Sequence, residues 1–191
     1  DFALPFLIEP PIPADVGVAA LTPCQIAEVS CIELQRQAKF DSGLSRAMAS
    51  AAARDARIAR AWIANNMRSG AQRAAHLLCE LRQRLADVGL SNDRSFDLPL
   101  TQQHLADALG LSVVHVNRVL QVLKKLGLLQ IRNSHVQIAD LEKLETFAEF
   151  DKGYLQLPAR ETVQETSDSG IFRANLSRGT DLQAVGTASQ H

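Results

Sequence analysis

Missing from this sequence are most of the signatures that announce a chemistry. Its 191 residues carry 20 Lys and Arg against 21 Asp and Glu, a formal net charge of −1. No global basic field therefore draws the chain to nucleic acid, and such binding would need an uneven distribution of charge. The cysteines, Cys24, Cys31 and Cys79, are odd in number and lack CxxC spacing. That argues against a disulfide framework or a zinc site and for single buried thiols in a reducing cytoplasm. There is no glycine-rich phosphate loop, no nucleophile motif and no pair of carboxylates placed for acid–base work, so no enzyme class is indicated. His104, His115 and His135 fall on separate elements without ligand spacing, and no metal or other cofactor is expected. The apolar start, "DFALPFLIEPPIPADVGVAALTPC", has no basic leader, carries Asp1, Glu9 and Asp15, and is broken by prolines. Neither a signal peptide nor a membrane span is expected.

What is present is 46% hydrophobic residues, enough to bury a core in one or two domains. From Asp1 to about Glu33, short apolar runs such as "VGVAAL" and "QIAEVS" alternate with Pro and Asp, predicting strands of a unit too short to close alone. The chain starts without Met, in what reads as mid-fold, and the remaining strands are expected upstream of it or from a partner. From Ser45 to Met67 the pattern becomes that of a long helix without Gly or Pro. Leu44, Met48, Ala51, Ile58 and Trp62 follow a 3–4 spacing, with Asp55 and Asn65 at two positions an ideal seam would make apolar. The segment reads either as an amphipathic helix on its own domain or as a two-stranded dimer helix. The latter is favoured because so long an isolated helix needs an apolar partner.

"RSG", Arg68 to Gly70, reads as a hinge, and Ala71 to Val88 as another amphipathic helix with Ala75, Leu78, Cys79 and Leu85 apolar. A loop with a short strand follows. "LLQIRNSHVQI" predicts a hairpin about "RNSH", and Asp140 to Phe150 a short acidic helix capped by Asp140. The Ser-, Thr-, Gly- and Gln-rich tail after about Pro158 is expected to be disordered.

The informative stretch is "LTQQHLADALGLSVVHVNRVL". Thr101 caps a helix whose apolar face is Leu105, Ala108 and Leu109; Gly110 can turn the chain sharply, and Ser112 caps a second helix. Two capped helices joined this tightly form a helix-turn-helix pattern. Projected at about 100° per residue, the second helix buries Val116, Val119, Leu120 and Leu123. Val114, Arg118, Gln121 and Lys125 fall opposite, with Val113 and Asn117 on one flank and His115 on the other. Arg118 can pair with guanine or hold a phosphate, Asn117 can read adenine, and Val114 can pack on a thymine methyl. His115 reads as solvent-facing or phosphate-contacting. Between Thr101 and Ile138, Arg118, Lys124, Lys125 and Arg132 face the single acid Asp107, while the next helix holds Asp140, Glu142, Glu145 and Glu149. Charge is thus polarised, and the hairpin tip around Arg132 is either a wing touching phosphate or an ordinary turn.

The run from Leu98 to Leu129 within "LPLTQQHLADALGLSVVHVNRVLQVLKKLGLLQIRNSHVQIADLEKL" resembles most specifically the winged-helix domain of the Crp/Fnr transcription regulators. "RAAHLLCELRQRL" resembles the helix that opens that domain, and "LTPCQIAEVS" the last strands of the family's cyclic-nucleotide-binding-type barrel. The resemblance implies an α+β chain: a partial effector-type β-barrel domain with a short helix over 1–43, a dimerisation helix over 44–68, the winged domain over 69–157 and a tail over 158–191. It implies a cytoplasmic homodimer on a pseudo-palindromic double-stranded DNA site, with RNA polymerase a candidate further partner. Gln102, Gln103 and Ser112 match phosphate-holding positions; Val113, Val114, Asn117 and Arg118 match recognition positions. The Arg-Ser pair that clamps a cyclic phosphate aligns with Ala14-Asp15, and the adenine-reading Thr-Ser pair with Ile58-Ala59. Cyclic AMP is therefore not the expected effector, and the effector is left open, an iron–sulfur or haem group held by residues upstream of this sequence included. A winged helix that binds protein instead of DNA is the alternative; loss of function on removing Arg118 and Lys125 would separate the two.

Overall fold

A computed structural model describes residues 19–92 and 94–156. The expected tail and the Ala14-Asp15 pair lie outside them. In the described part of the N-terminal region, residues 19–30 are irregular and exposed rather than stranded. A β-prone run such as "QIAEVS" needs a neighbouring strand to take its backbone hydrogen bonds, and among the described residues none lies beside it. Single buried thiols are likewise only part of the outcome. Cys79 is buried, Cys31 half-buried and Cys24 exposed; burial pushes the Cys79 thiol up to about 12, which leaves it unreactive.

Helix α1, Cys31–Phe40, leads directly into α2, Ser42–Asn65. The latter begins earlier than the apolar spacing suggests, because Asp41 accepts from the amides of Gly43 and Leu44 at 2.8 and 3.0 Å. Alanine then fills much of its length at little cost in side-chain entropy. Asn65, the polar residue at a seam position, is 1% exposed. Its amide donates to the Arg73 carbonyl at 3.5 Å and accepts from Arg68 at 3.4 Å. "RSG" is accordingly a fastened corner and not a loose hinge. Arg68 pairs with Glu149 at 3.1 Å, and Ser69 with Gln72 forms a capping box for the next helix.

That next helix, α3, Gly70–Asp87, is the axis of the domain. Ala74, Ala75, Leu77, Leu78 and Cys79 are all buried, since α3 is contacted by the helices that follow and by the sheet. Strand β1, Ser95–Asp97, leads to α4, Gln102–Leu109, and α5, Val113–Lys125. The hairpin β2, Leu129–Arg132, and β3, His135–Ile138, closes an antiparallel sheet of order β1-β3-β2. Its turn, Asn133-Ser134, has φ of 49° and 59°, the two-residue geometry whose twist matches the strands. Phe96, Val136 and Ile131 sit side by side in register, turning their apolar faces to the core. Helix α6, Leu141–Ala148, capped by Asp140, lays Leu144 and Ala148 against α3, and a 3-10 turn, Lys152–Leu155, returns to α2.

The join between α2 and the domain is polar and buried. The Glu80 carboxylate, on a side chain 3% exposed, pairs with Arg84 at 2.7 Å. It also accepts from Trp62 Nε1 at 3.0 Å and from the Tyr154 hydroxyl at 2.7 Å. Because that hydroxyl gives its proton to Glu80, it takes one from His76 Nε2, 3.0 Å away. Replacing Glu80 with Ala leaves the Trp62 and Tyr154 donors unpaired, while the Arg84 side chain, 35% exposed, stays solvated; it is expected to cost about 2–4 kcal/mol, read from urea unfolding. Burial, seconded by the positive Arg68, holds the His76 pKa below its ordinary 6.5. The unfolded chain thus binds this proton more tightly, and stability is full above pH 6.5 and falls as pH drops below it. The melting midpoint should decline over that range in the wild type and decline less in His76→Gln.

Candidate nucleic-acid interface

Thr101 accepts from the His104 amide at 3.1 Å and opens α4. The face it buries is Leu105, Ala106 and Leu109; Ala108, expected inside, is exposed. The buried face therefore turns toward Ala106 and leaves Ala108 in solvent. Gly110 then takes φ 61°, ψ 40°, the left-handed conformation that glycine adopts without strain. Arg73 of α3 donates to the Leu109 carbonyl, so a guanidinium satisfies the C-terminal end of α4. Ser112 accepts from the His115 amide at 3.2 Å and starts α5.

The projected α5 matches the fold. Val116, Val119 and Leu123 are buried and Leu120 packs on the core. Val114, Arg118, Gln121 and Lys125 are exposed along the opposite stripe. Val113 is half-buried against the core and so offers less of itself outward than Val114, which is 61% exposed. His115 is exposed, yet its ring covers the start of α3. A Cβ on Gly70 would come within 3.1 Å of His115 Nε2 and 3.3 Å of Val119, so a larger residue there would push these side chains back by a few tenths of an ångström.

The flanking residues are placed less simply than expected. Gln102 and Asn117 are hydrogen-bonded to one another at 2.8 Å, and Gln103 donates to Asp107 at 2.7 Å. Arg132 is exposed at the hairpin, where its register partner His135 sits 2.7 Å from Asp97. An acid therefore stands beside the wing, a tertiary contact that charge counting along the chain could not reveal. The acidic α6 is partly spent internally, with Glu145 3.8 Å from Arg82 and Glu149 on Arg68. An open groove of about 390 Å³ runs between α4, α5 and the hairpin, lined by Gln102, Asn117, Gln121, Lys124 and Ser134 among others.

The seam residues of α2 are already engaged with their own chain to differing degrees. Met48 is 7% exposed; Leu44, Ala51, Ile58 and Trp62 are half-buried, and Trp62 is bonded to Glu80. Among the described residues there is no cluster of metal-ligating side chains and no helix long and apolar enough to cross a membrane.

Comparison with known proteins places this geometry. Residues 72–147 match the family model for the Crp-like helix-turn-helix domain. A protein named "Probable transcriptional activator" from Rhizobium leguminosarum bv. viciae is 30% identical over 113 residues, 59% of this chain and 47% of that one. The chain thus spans about half the length of this relative. The solved structure of FixK2 from Bradyrhizobium japonicum is 23% identical, with a TM-score of 0.55 over 62% of this chain and 59% of that one, which supports the fold. A transcriptional regulator of the CRP family from Thermus thermophilus is 26% identical, with a TM-score of 0.45 over 57% of this chain and 55% of that one. In its capped helix pair, its glycine turn and its hairpin wing, the stretch from residue 72 to residue 147 is similar to the Crp-like helix-turn-helix domain.

Proposed function

We propose that this chain is a sequence-specific, DNA-binding transcription regulator acting as a homodimer on an inverted-repeat site. The observation that carries this reading is the exposed stripe of Val114, Arg118, Gln121 and Lys125 on α5. It lies opposite a buried apolar face within a helix-turn-helix domain. A helix buried on one side and presenting Arg, Gln and Lys on the other is shaped to enter a major groove. Arg118 supplies a bidentate donor for guanine, Val114 packs on thymine methyls, and Lys125 and Ser112 face phosphates. Gln103 and His115 stand beside the same backbone, and Arg132 brings the wing to it.

Pairing through α2 would set two recognition helices about 34 Å apart, one per half-site. The partly exposed Leu44, Ala51 and Ile58 are the seam side chains with surface left to offer a second copy. Ile58 and Ala59 carry no hydrogen-bonding side chain for a purine, which supports an effector other than cyclic AMP. RNA polymerase is the partner that such a regulator would address.

Selection of bound sites from random duplex DNA at fixed salt should enrich an inverted repeat. Arg118→Ala is expected to weaken binding to that site by about 1–3 kcal/mol while relaxing preference at one base pair. Lys125→Ala should weaken all sequences alike and reduce the salt slope by about one. Failure of the wild type to enrich any sequence would overturn the reading in favour of a protein-binding winged helix.

A further inference from the structure

The hydrogen bond between Gln102 and Asn117 changes what each residue is for. Gln102 is the first residue of α4 and Asn117 lies in the second turn of α5. The sharp turn at Gly110 is what brings them together. Asn117 Nδ2 donates to Gln102 Oε1 at 2.8 Å. Both residues are exposed, and both line the open groove beside the α5 stripe. A free asparagine on a helix surface turns its amide over readily, because the terminal torsion is broad. Here one N–H is held by a neighbouring helix, which fixes the amide plane and leaves Oδ1 and one N–H unspent.

We infer that Gln102 is a specificity-determining positioning residue, which presents the Asn117 amide to adenine. This rests on the DNA-binding reading above. An acceptor beside a donor complements the adenine edge in the major groove, where N6–H donates and N7 accepts. Cytosine offers the donor alone. Guanine and thymine meet Oδ1 with O6 or O4, an acceptor against an acceptor. The order of preference is therefore adenine, then cytosine, then the other two. Gln102 does its work through Asn117 and not by holding a phosphate, so its loss blurs one letter of the site instead of weakening every contact. Preorganising a flexible side chain in its bound geometry is a general way to sharpen recognition.

The test is site selection with the full chain, wild type and variants, with the melting midpoint of each as a control for folding. The position read by Asn117 is the one whose preference Asn117→Ala flattens. At that position the wild type should favour adenine over guanine or thymine by about tenfold or more. Gln102→Ala should reduce this preference at least about threefold, and should change nothing further once Asn117 is Ala. Gln102→Glu keeps an acceptor for Nδ2 and should retain adenine even where its charge lowers overall affinity. Gln102→Lys offers a donor, turns the Asn117 amide over and should move preference toward guanine or thymine. If Gln102→Ala weakens all sequences equally with the preference intact, Gln102 is a phosphate contact and the inference fails. Identical patterns for the Glu and Lys variants, or no position flattened by Asn117→Ala, would overturn it equally. Absence of any enriched site with the wild type alone refutes the DNA-binding reading itself, and is thereby told apart.

Discussion

The carboxylate of Glu80 is the point on which the architecture turns. It lies inside the protein, where an unpaired charge is costly, and its partners come from three separate parts of the chain. Arg84 reaches it from the same helix, Trp62 from α2, and Tyr154 from the 3-10 turn after α6. The cost of desolvating the acid is met only when all of them are in place. Orientation of α2 on the domain therefore has a polar, directional determinant, where apolar contact alone would permit sliding. His76 extends the same network through Tyr154 and packs edge-on against Phe150, tying the C-terminal turn to the centre of α3.

The exposed stripe of α5, the proposed DNA surface, is carried instead by the start of that same helix. At Gly70 α5 packs on the start of α3, and three residues later Arg73 satisfies the end of α4. The start of one helix thus positions both members of the helix pair. The polar stripe of α5 is held by a packed base of Val116, Val119 and Leu123, and rigidity of that base is what the proposed reading of base edges would demand.

Much of this was legible in the sequence where the signal is local and periodic. The caps at Thr101, Ser112 and Asp140, the glycine turn, the hairpin and the two faces of α5 each follow from a few neighbouring residues. What escaped depends on partners distant along the chain. Nothing in a linear pattern joins Trp62 and Tyr154 to Glu80, Gln102 to Asn117, or Asp97 to His135. Asn65 looked like a flaw in an apolar seam and is a buried polar contact at a corner. The described part of the expected strands, residues 19–30, illustrates the converse limit. Alternating apolar residues state that a segment suits a sheet, but they do not supply the neighbour that makes it one.

The wing carries a further consequence. The Leu98 amide donates to the Ser134 carbonyl at 2.7 Å, so the hairpin tip is tied to the end of β1 as well as to its own strands. The width of the groove between wing and α5 is thus inherited from a third strand. The connection from α3 adds a second tie, since the Ile138 amide donates to the Arg94 carbonyl at 2.7 Å, and a longer hairpin turn would break the first. Length variation among proteins of this design should therefore spare the tip, leaving the spacing between wing and α5 untouched.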